Sequence, residues 1–109
     1  MPKFVTIGYG DQAGYDRTDD APRARAHEHD ARLVDQGAVM GVVGPPVQVR
    51  NHDGLDVVVA AGPYMRSDLP VAGISLIEAA DLEEAVRLAS GTPCAIAYGV
   101  VEVWPLVEH

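Results

Sequence analysis

Only two stretches of this chain carry the signature of a helix, and they sit among runs of β-branched residues that read as strands. That imbalance is the tightest constraint on the fold, because two helices can shield one face of a sheet but not both. The first helix is bounded by Asp19 and Asp20, good N-caps, with Pro22 in the first turn, and by Gly37 after Gln36. Its expected inward stripe is Ala24, His27, Ala31 and Val34, with Leu33 alongside. Arg25, Glu28, His29, Arg32 and Asp35 form the expected solvated surface. The second helix opens on the capping pattern Asp81-Leu82-Glu83-Glu84 and ends at Gly91 and Pro93, with Leu82, Ala85, Val86 and Ala89 expected inward.

The strand signals are strong. Lys3 to Tyr9 alternates Val5, Ile7 and Tyr9 on one face with Phe4 and Thr6 on the other, and both faces are apolar enough to be covered. Gly10 to Asp16 reads as a polar loop. Ala38 to Val43 forms a second strand, closed by Gly44-Pro45-Pro46. Val47–Arg50 and Leu55–Ala60 are the arms of a hairpin around Asn51-His52-Asp53-Gly54. The run Val57-Val58-Val59 predicts a strand buried on both sides. A loop from Gly62 to Pro70 leads to a strand at Ala72–Glu78, and a last strand runs from Tyr98 to Trp104, stopped by Pro105. This order predicts one α+β domain over residues 1–109, a ferredoxin-like split βαβ plan with an inserted β-hairpin. The sheet face left bare, expected to carry Phe4 and Thr6, is predicted to join a second copy in a homodimer.

Charge narrows the partners. Eight basic against 16 acidic residues give a net charge of −8, which repels phosphate backbones and anionic lipid surfaces, so neither nucleic acid nor membrane is an expected partner. No stretch approaches the roughly 20 apolar residues that span a bilayer, and Met1-Pro2-Lys3-Phe4 does not open a secretory signal, so a cytoplasmic location is expected. The single cysteine, Cys94, supports neither a disulfide framework nor a thiolate metal cluster. Gly8-Tyr9-Gly10 lacks the lysine and hydroxyl residue of a phosphate loop. No dinucleotide fingerprint is present, so chemistry without metal or cofactor is expected.

In its order of elements the chain resembles the YCII-related domain proteins, including the subgroup named for an Asp-Gly-Pro-Phe motif. Three pieces carry the likeness: Arg25-Ala26-His27-Glu28-His29 on the first helix, Ala61-Gly62-Pro63-Tyr64 where the subgroup has Asp-Gly-Pro-Phe, and Gly73-Ile74-Ser75-Leu76-Ile77-Glu78 running into Asp81-Leu82-Glu83-Glu84-Ala85. The resemblance covers nearly the whole chain. It implies a dimeric α/β barrel architecture, in which two ferredoxin-like subunits join through their sheets, and a cleft holding His27. Ala61 stands where the subgroup has its aspartate, and Thr92 before Pro93 stands where other members carry one.

His27 is the residue most suited to chemistry, since its place on the expected inward stripe points an imidazole toward the sheet, where it suits a general acid or base. In the loop after the valine run, Tyr64 offers a hydroxyl, Arg66 a fork for a carboxylate, and Asp68 a carboxylate to orient His27 in place of those missing. Tyr9 joins the candidate substrate-binding set, although a strand aromatic also suits a core or an interface. Cys94 reads as a packing or surface thiol. The leading expectation is a cofactor-free enzyme of isomerase, lyase or dehydratase type acting on a small organic molecule. The alternative is a non-catalytic dimeric ligand-binding or accessory module with a degenerate site. Cofactor-free oxygenation of an aromatic substrate would rest on architecture alone.

Overall fold

Residues 1–107 are described by the structure, a computed structural model. β1 (Lys3–Tyr9) leads through a short α1 (Gln12–Arg17) into α2 (Asp20–Asp35) and then β2 (Val39–Val42). β3 (Val47–Arg50) and β4 (Val58–Ala61) follow, then β5 (Val71–Glu78), α3 (Leu82–Ser90), a single-turn α4 (Pro93–Ile96) and β6 (Val100–Leu106). Four strands form one antiparallel sheet in the order β2–β5–β1–β6, and β3 and β4 pair only with each other. The molecule is therefore α+β, with α2, α3 and α4 stacked on one side of the larger sheet.

Local chemistry sets most boundaries. α2 ends in a Schellman arrangement: the Ala38 N–H reaches the Leu33 carbonyl and the Gly37 N–H the Val34 carbonyl, while Gly37 takes φ 102°. At the start of α3, Asp81 accepts from the Glu84 N–H at 2.8 Å, and Glu84 reaches back to the Ala80 N–H at 3.0 Å. β6 runs straight through Pro105, because β6 is an edge strand on which one missing N–H breaks no ladder on its free side. The segment after Gly10, expected as a loop, turns into α1, with Asp11 capping the Gly14 N–H.

Three expectations about orientation are corrected. Phe4 and Thr6 face the helices rather than the bare side, which carries Val5, Ile7, Ile74, Leu76, Val39 and Trp104. α2 is turned by about one residue, roughly 100°: Ala26 and Leu33 are buried, whereas Ala24, His27, Ala31 and Val34 are exposed. The helix is mostly polar, so its few apolar residues define a weak stripe, and Leu33 acts as the anchor. His29, expected in solvent, is half-buried and donates from Nε2 to the Leu88 carbonyl at 2.6 Å, tying α2 to α3. On α3 it is Ala85, Leu88 and Ala89 that turn inward, while Leu82 and Val86 stay exposed.

The core sits at one end of the covered face, where Phe4, Ile77, Ala79 and Ala85 pack with Ala38, Leu88 and Val103. Burying Phe4 and Ile77 contributes about 1.5–3 kcal/mol each. The valine run is not part of it: Val57, Val58 and Val59 are exposed, on a hairpin that extends from the body.

At the other end, α4 and the Tyr98–Gly99 turn press against β1. A Cβ on Gly99 would lie 2.1 Å from the Tyr9 carbonyl oxygen and 2.6 Å from that of Cys94, whereas one on Gly44 would meet nothing within 4 Å. Gly99→Ala should therefore cost about 1–3 kcal/mol of stability or more in urea unfolding, and Gly44→Ala should stay within about 0.5 kcal/mol of the parent.

Candidate functional site

Beyond Phe4, the residues of β1 that face the helices become small: Thr6, then Gly8, with Gly10 just past the strand end. β5 answers with Gly73 and Ser75 opposite Gly8 and Thr6. Side chains this small cannot fill the space between sheet and helices, and a cavity of about 620 Å³ opens there. Its floor is Thr6, Gly8, Gly73 and Ser75; α2 supplies His27 and Asp30, α1 supplies Tyr15, and the α4 turn supplies Thr92, Pro93, Cys94 and Ala97. Met40, Val42 and Val101 make the remaining wall largely apolar. Among the described residues no arginine or lysine lines it.

His27 sits at the rim, exposed on one side. Its Nε2 shares a hydrogen bond of 3.2 Å with the Tyr15 hydroxyl, and the two rings lie 6.1 Å apart at a tilt of 57°. The Arg23 guanidinium covers the Tyr15 ring at 4.7 Å and is itself paired with Asp20, so Tyr15 is held from both sides. One helical turn beyond His27, Asp30 points into the same cavity. Its Oδ1 is buried and has no hydrogen-bond partner among the described residues. Burial pushes the Asp30 carboxyl above its ordinary range, and the positive charges of His29 and His27 pull partly the other way.

Cys94 packs its Sγ over Gly8, where an added Cβ would come within 2.9 Å, so glycine is what lets α4 approach β1. Burial raises the thiol, and the negative charge of Asp30 raises it further. On the floor, the Thr6 and Ser75 hydroxyls bond to each other across the β1–β5 ladder. One of them donates within the pair, which leaves the other hydroxyl proton free for a ligand. Among the described residues no three of His, Cys, Asp and Glu converge as a metal cage would require.

Of the candidate site residues read from sequence, His27, Asp68, Tyr64, Arg66 and Tyr9, only His27 lines this cavity. Tyr9 belongs to the bare face of the sheet, where its hydroxyl donates to Glu102 Oε1 at 2.7 Å. That acceptor, then burial and the carboxylate charge, raise the phenol above its usual value. Tyr64 is 79% exposed at the base of the hairpin, under the Arg50 guanidinium at 5.8 Å. Arg66 and Asp68 are exposed in the loop that follows and do not line the cavity with His27. The residues that join His27 are Tyr15 and Asp30, which periodicity did not single out. A signal for the cavity was present in the sequence: small residues at alternate positions, Thr6-x-Gly8-x-Gly10 and Gly73-x-Ser75, mark a strand face with nothing to fill it.

No protein-family model matches the chain, and comparison with curated proteins returned no match.

Two outcomes follow from the ionisable groups. Because folding raises the Asp30 carboxyl, its contribution to stability is complete below about pH 4, where it is protonated even in the unfolded chain, and is lost as pH climbs through the folded value. Asp30→Asn should therefore match the parent in urea midpoint at low pH and exceed it at pH 7. Cys94 holds its proton more tightly than an open thiol, so iodoacetamide should label the native chain more slowly than the urea-unfolded chain at pH 8, followed by mass spectrometry.

Proposed function

We propose that this chain is a YCII-related protein whose ferredoxin-like subunit pairs through its bare sheet face into a dimeric α/β barrel. In this reading it acts without cofactor, as an acid–base enzyme on a small organic molecule. The architecture is supported by the strand order β2–β5–β1–β6, with α2 between β1 and β2 and α3 and α4 between β5 and β6, which interleaves two βαβ halves, the β3–β4 hairpin being the insertion. The pairing is supported by Val5, Ile7, Ile74 and Leu76, an apolar patch with no helix over it. A cytoplasmic setting suits a lone, half-buried thiol.

The observation that carries the chemistry is the placement of His27 at the mouth of a largely apolar cavity, with Tyr15 on its Nε2 and Asp30 one turn away. Tyr15 orients the ring and leaves Nδ1 to take a proton from carbon beside a carbonyl and to return it elsewhere on the molecule. The free hydroxyl of the Thr6–Ser75 pair is the donor for charge gathering on the carbonyl oxygen. Walls with two carboxylates, Asp11 and Asp30, and no arginine or lysine favour a neutral substrate over a carboxylate or phosphate. This replaces the carboxylate-binding role that the sequence suggested for Arg66.

A second reading has one observation in its favour: among the described residues no carboxylate is hydrogen-bonded to His27, whose ring is partly open to water. Such a histidine suits a binding module that holds the same ligands without turning them over. Proton exchange separates the two. Small neutral ketones and aldehydes that shift the amide resonances of Gly8, Gly73 and Cys94 should exchange their α-protons faster in D2O with the protein present. His27→Gln should slow that exchange by about 100-fold or more, whereas His52→Gln, on the hairpin, should not. Binding without exchange would favour the non-catalytic module.

A further inference from the structure

The β3–β4 hairpin is the part of the chain least accounted for by its own fold. A two-stranded hairpin is marginal in water unless something covers it, and this one packs chiefly on itself. The register pairs Val49 with Val59 and Val47 with Ala61, so these four side chains share one face. Val47, Val49 and Val59 are each more than 60% exposed. The molecule measures 52 × 35 × 20 Å, and its radius of gyration of 15.8 Å exceeds the about 13 Å of a compact chain of this length.

The surface area gives the size of what is missing. A folded monomer of 11.6 kDa exposes about 5,800 Å², whereas this chain exposes 7680 Å². The excess of roughly 1,800 Å² is more than twice the about 800 Å² that each partner buries in a standard interface and lies in the range of obligate homodimers. The bare sheet face accounts for part of that surface and the valine stripe for more. Charge points to the same occupant. Two copies each carrying −8 repel one another, and the stripe of Val47, Val49, Val59 and Ala61 brings no carboxylate into the contact.

We propose that the β3–β4 hairpin is an intersubunit arm, laying its valine stripe against a second copy of the chain and extending the interface formed by the sheet faces. The inference rests on the dimer reading above and adds to it the element that grips. Its consequence reaches the cavity. The arm begins at Val47, shortly after Val42, and is joined through the loop over residues 62–70 to β5, whose Ala72 and Gly73 line the cavity together with Val42. The grip of the second copy thus holds the strand ends that shape the mouth beside His27.

Sedimentation equilibrium of the full chain, the Val49→Glu variant and the sheet-face variant Ile74→Glu tests this, together with isotope-filtered NOEs in a sample mixing labelled and unlabelled chains. Val49 is exposed and outside the core, so the variant should keep the parent circular dichroism spectrum. The expected result is a dimer whose dissociation constant rises by about tenfold or more in Val49→Glu, with intermolecular NOEs from the Val47, Val49 and Val59 methyls. A dimer weakened by Ile74→Glu but unmoved by Val49→Glu, with arm NOEs only within one chain, would overturn the arm and leave the sheet-face dimer standing. A monomer at 100-micromolar-scale concentrations, on the order of the weakest specific complexes, would overturn both.

Discussion

The antiparallel ladder between β1 and β5 is the element on which the other parts of this molecule depend. It places Phe4 against Ile77 at one end and Gly8 against Gly73 at the other, so one pair of strands lays down both a core and a void. Where the facing residues are large, α3 packs down and water is excluded. Where they shrink to hydroxyls and hydrogens, the helices have nothing to rest on, and α4 closes in with Cys94 over Gly8 and Gly10. Core and cavity are two consequences of one gradient in side-chain volume along the same face.

The second consequence of that ladder is asymmetry. All the helices of any length lie on one side, because both long connections cross the same face, and the other face is left to Val5, Ile7, Ile74 and Leu76. On that face Tyr9 donates to Glu102, and the Trp104 indole reaches the same carboxylate at 3.4 Å. A sheet face whose aliphatic side chains lie open is chemically ready for an apolar surface. The hairpin presents a surface of the same kind, and the proposed reading of this protein joins the two in one assembly.

The candidate site was partly legible in advance. His27 stood out as the imidazole nearest the sheet, and it does border the cavity. It does so from the rim, however, because α2 is rotated to bury Ala26 and Leu33. That rotation brings Asp30 inward and turns His29 into a tether to α3. A helix with few large apolar residues has no strong preferred face of its own, so contacts from other elements decide which side chains turn in. Tyr15 was hidden for a different reason: a six-residue helix in a stretch rich in turn formers leaves little periodicity to read. The loop residues Tyr64, Arg66 and Asp68 are close in sequence to the hairpin, and the hairpin carries them away from the cavity.

The amino-acid sequence by itself determined where the strands and the two longer helices lie, including the Asp81 cap, the Gly37 stop and the existence of a hairpin that starts at Val47. These are local matters of capping, turn chemistry and β-branching, decided within a few residues of chain. Tertiary structure alone decided which face of each element is covered, since that depends on contacts between segments far apart in sequence. Phe4 turned toward the helices because Ile77 and Ala85 were there to meet it, and the valine run stayed exposed because no described segment of its own chain packs over it. Burial is a property of neighbours, and no stretch of sequence states its own neighbours.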